Sequence, residues 1–189
     1  MNSDNLLVYK SLFRFKIRQA LQGLSKEEQK KRSRHIAALL FKESSFKRAK
    51  SVMIYLAFGN EVLTHAILLR ALSLAKRVCV PKVEKNLRNL RAYQIKNLKR
   101  DLTKGAYGIL EPKTKSLKEI HPGELDLILV PGLGFDLSGG RLGRGEGYFD
   151  RFLKASPKAV KIGLAYSEQI LKEVPTASHD IRMNKIICG

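Results

Sequence analysis

Apolar positions recur at helical spacing over residues 6–21, with Leu7, Leu12 or Phe13, Ile17 and Leu21 on one side, and Gly23 just beyond. This pattern predicts an amphipathic helix with a glycine stop. Ser25-Lys-Glu-Glu28 then reads as a capping box, the Ser oxygen accepting an early N–H and the Glu reaching back, so a second helix runs from there to about residue 42. Beyond it the pattern shifts to short apolar runs. Residues 52–57 read as a strand and residues 77–80 as the next, ended by Pro81, with Thr64 opening a helix to about residue 75 between them. Residues 86–95 suggest a small hairpin. Residues 104–119 contain two glycines and a proline and read as a connection with little regular structure. Residues 125–130 are apolar at every position but Asp126, the pattern of a strand buried on both faces. A helix at 148–154, a strand at 160–165, a short helix at 168–171 and a last strand at 185–188 complete the series.

Strands alternating with helices predict an α/β fold: one domain over residues 1–189, with a largely parallel sheet in a Rossmann-like three-layer α/β/α arrangement. Ligands of such sheets lie beyond the strand C-termini. That rule sets the loops after Ala57, Val80 and Val130 on one rim, where Glu61 and residues 141–150 can meet across a cleft.

Composition narrows the classes. Of the 189 residues 44% are hydrophobic, enough for a core. No apolar run is long enough to span a membrane, and the N-terminus lacks the pattern of a signal peptide, so a cytoplasmic location is expected. Cys79 and Cys188 stand in no metal-ligand spacing and imply no disulfide framework. Lys and Arg number 36 against 17 Asp and Glu, a formal net charge of +19. This balance attracts polyanions, either nucleic acid or small anions such as ATP. The cations are scattered over residues 26–50, 82–100 and 113–118, and aromatic residues reach only 7% with no Trp, so nucleic acid is not the expected partner.

The chemistry concentrates in residues 130–153, which begin where the apolar run ends. Gly132, Gly134, Gly139, Gly140, Gly143, Gly145 and Gly147 surround Arg141 and Arg144, and Asp150 follows. Glycines let backbone N–H groups close on an anion, arginine forks bind phosphate oxygens, and a nearby carboxylate can hold Mg²⁺. No Gly-Lys-Ser/Thr triplet occurs, and the Rossmann glycine spacing fails at Tyr148. A plain glycine-rich turn is the alternative, but two arginines within it favour phosphate binding. No Ser/His/Asp order with a nucleophile elbow and no Cys beside a base is present, which argues against a hydrolase.

Pro131-Gly-Leu-Gly-Phe-Asp136 with Gly140-Arg-Leu-Gly-Arg-Gly-Glu-Gly-Tyr-Phe-Asp-Arg-Phe-Leu153 resembles the signature of the 5-formyltetrahydrofolate cyclo-ligase family. Lys10-Ser-Leu-Phe-Arg14, Ser25-Lys-Glu-Glu28, Tyr55-Leu56, Glu61-Val62 with Thr64, Tyr107-Gly-Ile-Leu-Glu-Pro112 and His179-Asp180 follow the family order along nearly the whole chain. Phe149 stands where many members have a second Tyr, and Asn184 where some have an acid.

The resemblance implies ATP- and Mg²⁺-dependent conversion of 5-formyltetrahydrofolate to 5,10-methenyltetrahydrofolate, with release of ADP and phosphate. It implies a phosphorylated formyl group (an iminium phosphate) attacked by N10 of the same molecule. Arg141 and Arg144 are then catalytic clamps on the phosphoryl group. Lys10, Arg14 and the run Arg141, Leu142, Gly143, Arg144, Gly145, Glu146, Gly147, Tyr148 and Phe149 bind ATP. Without the resemblance Lys10 and Arg14 read as solvated charge one helical turn apart. Leu56, Glu61 and Tyr148 face the folate, Glu61 accepting from the pterin N–H edge; Leu56 and Tyr148 read equally as core. Asp150 and Asp180 are the metal candidates, against helix capping or an Arg151 pair for Asp150 and a structural role for Asp180. His179 is expected to be structural. The folate is one that can carry several glutamates, and a monomer is expected.

Overall fold

The computed structural model describes residues 3–105, 108–177 and 180–189. Three helices open the chain, α1 (Ser3–Gln22), α2 (Lys26–Lys42) and the short α3 (Ser44–Arg48). Ser25 Oγ accepts the Glu28 N–H at 3.1 Å and satisfies one free donor at the start of α2. There follow β1 (Ser51–Met53), α4 (His65–Ser73), β2 (Arg77–Glu84), β3 (Asn89–Ile95), α5 (Leu98–Asp101), β4 (Leu102–Lys104), β5 (Leu110–Pro112) and β6 (Glu119–Ile120). The second half holds β7 (Leu127–Val130), β8 (Gly134–Asp136), β9 (Arg141–Leu142), α6 (Tyr148–Lys154), β10 (Val160–Ala165), β11 (Ile170–Leu171) and β12 (Lys185–Cys188).

Seven strands form the central sheet in the order β12-β10-β7-β1-β2-β3-β6. The strands from β12 to β2 are parallel, and β3 and β6 extend the sheet antiparallel. Side chains alternate between the two faces along each strand. Val52, Leu127 and Leu129 pack with Ile17 of α1, Ile36 and Leu40 of α2 and Ile67 of α4. Met53, Ile128 and Val130 pack on the other face with Phe152 and Leu153 of α6. Burial on both faces explains why β7 has no polar position, and it makes the predicted mixed α/β, mainly parallel architecture the observed one.

Several boundaries differ from the sequence reading. β2 does not end at Pro81. The Cys79 carbonyl accepts the Ile54 N–H, so the nitrogen of residue 81, two positions on, faces the β1 side beyond the end of β1 and forfeits no ladder bond. The hairpin is therefore β2–β3, turned at residues 85–88 with Arg88 at φ 47°, rather than a unit within 86–95. Residues 104–119 are not featureless: β5 pairs with β4 and β6 with β3. Residues 168–171 are helical only in part: a 3₁₀ turn spans Ser167–Gln169, and Ile170–Leu171 are strand. Gln169 accepts from Tyr166 N–H and donates to the carbonyls of Gly132 and Leu133, which pins Ile170 beside Phe135 as β11. The helix at residue 64 ends at Ser73. Thr64 gives it no side-chain cap, because its hydroxyl is bonded to the Tyr55 carbonyl at 2.6 Å. Tyr107 and His179, part of the family resemblance, lie outside the described residues.

Candidate functional site

A cleft of about 500 Å³ opens at the C-terminal rim of the parallel strands, and every site residue named from sequence lines it. Its walls come from α1, the loop after β1, the β2–β3 hairpin, the 109–111 segment and the glycine-rich region after β7.

α1 packs Ile17 and Leu21 into the core and turns Lys10 and Arg14 toward the cleft. Lys10 Nζ donates to Asp180 Oδ2 at 2.5 Å, and Arg14 Nε donates to the Gly143 carbonyl at 2.9 Å. Burial lowers the Arg14 pKa, with Arg18 adding to the effect.

The loop after β1 is tied from several sides. Tyr55 Oη donates to the Val62 carbonyl at 3.0 Å, and Gln29 Nε2 donates to the Gly59 and Glu61 carbonyls, each at 3.0 Å. These bonds fix Glu61, whose side chain is nearly buried. Its Oε2 accepts the Phe58 N–H at 3.2 Å and its Oε1 accepts Arg144 Nη2 at 2.8 Å. Burial raises the Glu61 pKa, and the Arg144 contact opposes that rise. Leu56 is half-buried and serves both readings, lining the cleft while packing on the core.

The glycine-rich region is more ordered than a loop. β8 and β9 form a hairpin whose turn is held by the buried Asp136, which accepts from Gly140 N–H at 2.8 Å, Ser138 Oγ at 2.7 Å and Val174 N–H at 2.8 Å. Gly139 takes φ 93° against the Met183 carbonyl, and its own carbonyl accepts Met183 N–H at 2.8 Å. The hairpin thereby fixes the segment that carries Asp180. Gly145 at φ 112° and Gly147 at φ 67° turn the chain into α6, positions where a Cβ is strained. Tyr148 is half-buried, lies under Arg151 with the guanidinium 5.3 Å from its ring, and also lines the cleft.

Arg141 Nη2 donates to Asp150 Oδ2 at 2.7 Å, and Nη1 to the Pro131 carbonyl at 3.2 Å. Its Nε is buried without a partner. Asp150 thus pairs with Arg141 and not with Arg151, which instead donates to the carbonyls of Arg88 and Glu146. Phe149 packs near Arg141, the guanidinium 5.9 Å from its ring. Asn184, at the other departure from the family pattern, bridges β10 and β12 by accepting Lys161 N–H at 2.8 Å. It belongs to the sheet.

Among the described residues no group of three or more His, Cys, Asp or Glu is arranged as a metal site. Asp150 and Asp180 both line the cleft, and Ile181 N–H reaches Asp150 Oδ1 at 3.4 Å, so the two carboxylates share one wall. Mg²⁺ takes one or two protein carboxylates and completes its shell with water and phosphate oxygens, so this sparse donor set fits it.

Sequence reasoning missed Phe58, Lys82 and Glu111. Lys82 and Glu111 form an ion pair across the cleft wall, and the Arg144 guanidinium lies 4.1 Å from the Phe58 ring centroid. The reading that ended a strand before Pro81 hid Lys82. Glu111 lay in a matched motif with no role attached.

No helix among the described residues is long and apolar enough to cross a membrane. Residues 7–189 match the 5-formyltetrahydrofolate cyclo-ligase family. The 5-formyltetrahydrofolate cyclo-ligase of Mus musculus is 29% identical over 183 residues, 92% of this chain and 90% of the relative. That of Mycolicibacterium smegmatis is 33% identical over 141 residues, 73% of each chain. The NMR structure of Aquifex aeolicus 5,10-methenyltetrahydrofolate synthetase superposes with a TM-score of 0.83 at 34% identity, over 95% of this chain and 89% of that one. With the fold and nearly the whole length matched, the chain belongs to the 5-formyltetrahydrofolate cyclo-ligase family, enzymes that convert 5-formyltetrahydrofolate to 5,10-methenyltetrahydrofolate.

Proposed function

We propose that the cleft binds ATP and 5-formyltetrahydrofolate together and drives ring closure by phosphorylating the formyl oxygen. The observation that carries this reading is the Glu61–Arg144 contact at 2.8 Å, which joins the acid suited to a pterin edge to the arginine suited to a phosphoryl group. The formyl carbon is a weak electrophile, and its oxygen is a poor leaving group. Attack of that oxygen on the γ-phosphorus expels ADP and gives an iminium phosphate. N10 then attacks the formyl carbon, the C–O bond breaks, phosphate leaves with the former formyl oxygen, and N10 loses its proton.

Such chemistry needs positioning and charge neutralisation, not a protein nucleophile. Arg141 and Arg144 neutralise the transferring phosphoryl group. Lys10, Arg14 and the backbone of residues 143–147 hold the remaining phosphates. Glu61 accepts from the pterin N–H groups, with Leu56 and Tyr148 as walls. Asp150 and Asp180 would hold Mg²⁺, which supplies charge neutralisation between the phosphates when bound.

Absorbance in the methenyltetrahydrofolate band, followed with purified protein, 5-formyltetrahydrofolate and Mg²⁺, tests the reading. A rise that requires ATP supports it. A rise without ATP, or none with folded protein, rejects it.

A further inference from the structure

Both halves of the proposed site meet at the side chain of Arg144. Its Nη2 donates to Glu61 Oε1, and its guanidinium carbon lies over the Phe58 ring, 4.1 Å from the centre. Phe58 is a large apolar side chain, 38% exposed at the cleft lip, and its N–H holds the other oxygen of Glu61. The loop bearing both residues is fixed by Gln29 and by the Thr64–Tyr55 bond. Arg144, with a side chain 44% exposed, is the member with room to move. The other cations of the phosphate half are held elsewhere, Lys10 on Asp180, Arg14 on the Gly143 carbonyl and Arg141 on Asp150.

The geometry points to Phe58 as a positioning residue that, with Glu61, parks Arg144 on the folate side of the cleft, and so couples the binding of the two ligands. This inference rests on the ATP and folate reading above. A triphosphate draws Arg144 off Glu61. The carboxylate, its side chain only 10% exposed, then keeps the Phe58 N–H and loses its counter-charge. Stranding a buried charge in this way is costly. Pterin N–H groups replace what Arg144 supplied, so bound folate makes release of Arg144 easier. Each ligand must then tighten the other by the same factor. With no folate, Arg144 stays on Phe58 and Glu61, the phosphate clamp is incomplete, and loss of the γ-phosphate to water is held back.

Calorimetric titration with Mg²⁺ and the non-hydrolysable β,γ-imido analogue of ATP, without and with saturating 5-formyltetrahydrofolate, reads the coupling. Folate tightens the analogue about fivefold or more in the wild-type chain. Phe58→Leu keeps an apolar side chain and removes the ring beneath the guanidinium. In that variant the analogue alone binds about two- to fivefold more tightly, the coupling factor falls by the same amount, and the thermal midpoint is unchanged. A variant that weakens folate binding yet keeps the full coupling factor makes Phe58 a simple pocket wall and overturns the proposal. Wild-type protein that binds both ligands independently overturns it while leaving the site reading intact. Wild-type protein that binds neither ligand overturns both.

Discussion

The Lys10 ammonium and the Asp180 carboxylate, 170 positions apart in the chain, meet at 2.5 Å on the wall of the cleft. The contact joins the first helix to the segment before the last strand, and it pairs a residue expected to bind nucleotide with one expected to bind metal. Arg141 and Asp150 repeat the arrangement at 2.7 Å. The cleft is therefore largely balanced internally: Lys10, Arg141 and Arg144 each face a carboxylate, and Arg14 faces the Gly143 carbonyl. On the proposed reading, ATP with Mg²⁺ exchanges these partners, so nucleotide and metal enter as a set.

Lys10→Met tests that exchange on the nucleotide side. It removes one charged hydrogen bond, worth about 1.5–3 kcal/mol, and is expected to raise the KM for ATP roughly tenfold or more. The KM for folate stays near its wild-type value. Steady-state kinetics with each substrate varied in turn provide the check.

Asp150→Ala should cost stability as well as activity. Arg141 has a side chain only 6% exposed, and its Nε already lacks a partner. Removing Asp150 strands that guanidinium, a loss of about 3 kcal/mol. The double variant Arg141→Met, Asp150→Ala is expected to lose less than the sum of the two single changes. Urea unfolding of the three proteins measures the difference.

The two turn glycines separate folding from binding. An alanine Cβ at Gly139 would run into the Met183 carbonyl at a backbone φ of 93°, so Gly139→Ala is expected to destabilise by about 2 kcal/mol or more. At Gly145 (φ 112°) the nearest obstacle is the flexible Arg14 guanidinium at 3.6 Å. Gly145→Ala is expected to cost less stability and more nucleotide affinity. Thermal unfolding and ATP-analogue titration of both variants distinguish the two effects.

Glu61 links site and stability through pH. Burial raises its folded pKa above the ordinary value of 4.5, despite Arg144. The folded chain therefore holds the Glu61 proton at pH values where the unfolded chain has released it. Stability falls as pH rises from about 4.5 through the folded pKa, and the full penalty remains at neutral pH. Glu61→Gln removes this penalty and is expected to raise the thermal midpoint at pH 7, with the gain shrinking as pH falls through the folded pKa and vanishing below about 4.5. The same variant should weaken folate binding. Scanning calorimetry across that pH range gives the profile, and a gain that persists unchanged at low pH rejects the account.

Much of this was legible in the sequence because it follows from local rules. The unbroken apolar run of Leu127–Val130 signals a strand buried on two faces, and the strand C-terminal rim then brings Glu61 near Arg144 without knowledge of any contact. What was not legible depends on partners distant in sequence. Pro81 reads as a stop, and only the early end of β1 makes it harmless. Gln169 sits in a short helical pattern, and its bonds to residues 132 and 133 end that pattern after one 3₁₀ turn. Asp150 reads as a metal ligand or cap, while its partner Arg141 is nine positions back on β9, across the glycine turn. Phe58 reads as an unremarkable loop aromatic until Arg144 is placed against it.

Transfer of oxygen tests the central claim most directly. 5-Formyltetrahydrofolate labelled with ¹⁸O in the formyl group is converted by the enzyme with unlabelled ATP in unlabelled water, and the inorganic phosphate is analysed by mass spectrometry. Phosphorylation of the formyl oxygen in the cleft predicts one ¹⁸O in each phosphate released, in step with methenyl product. Unlabelled phosphate, with the label lost to water, would contradict it.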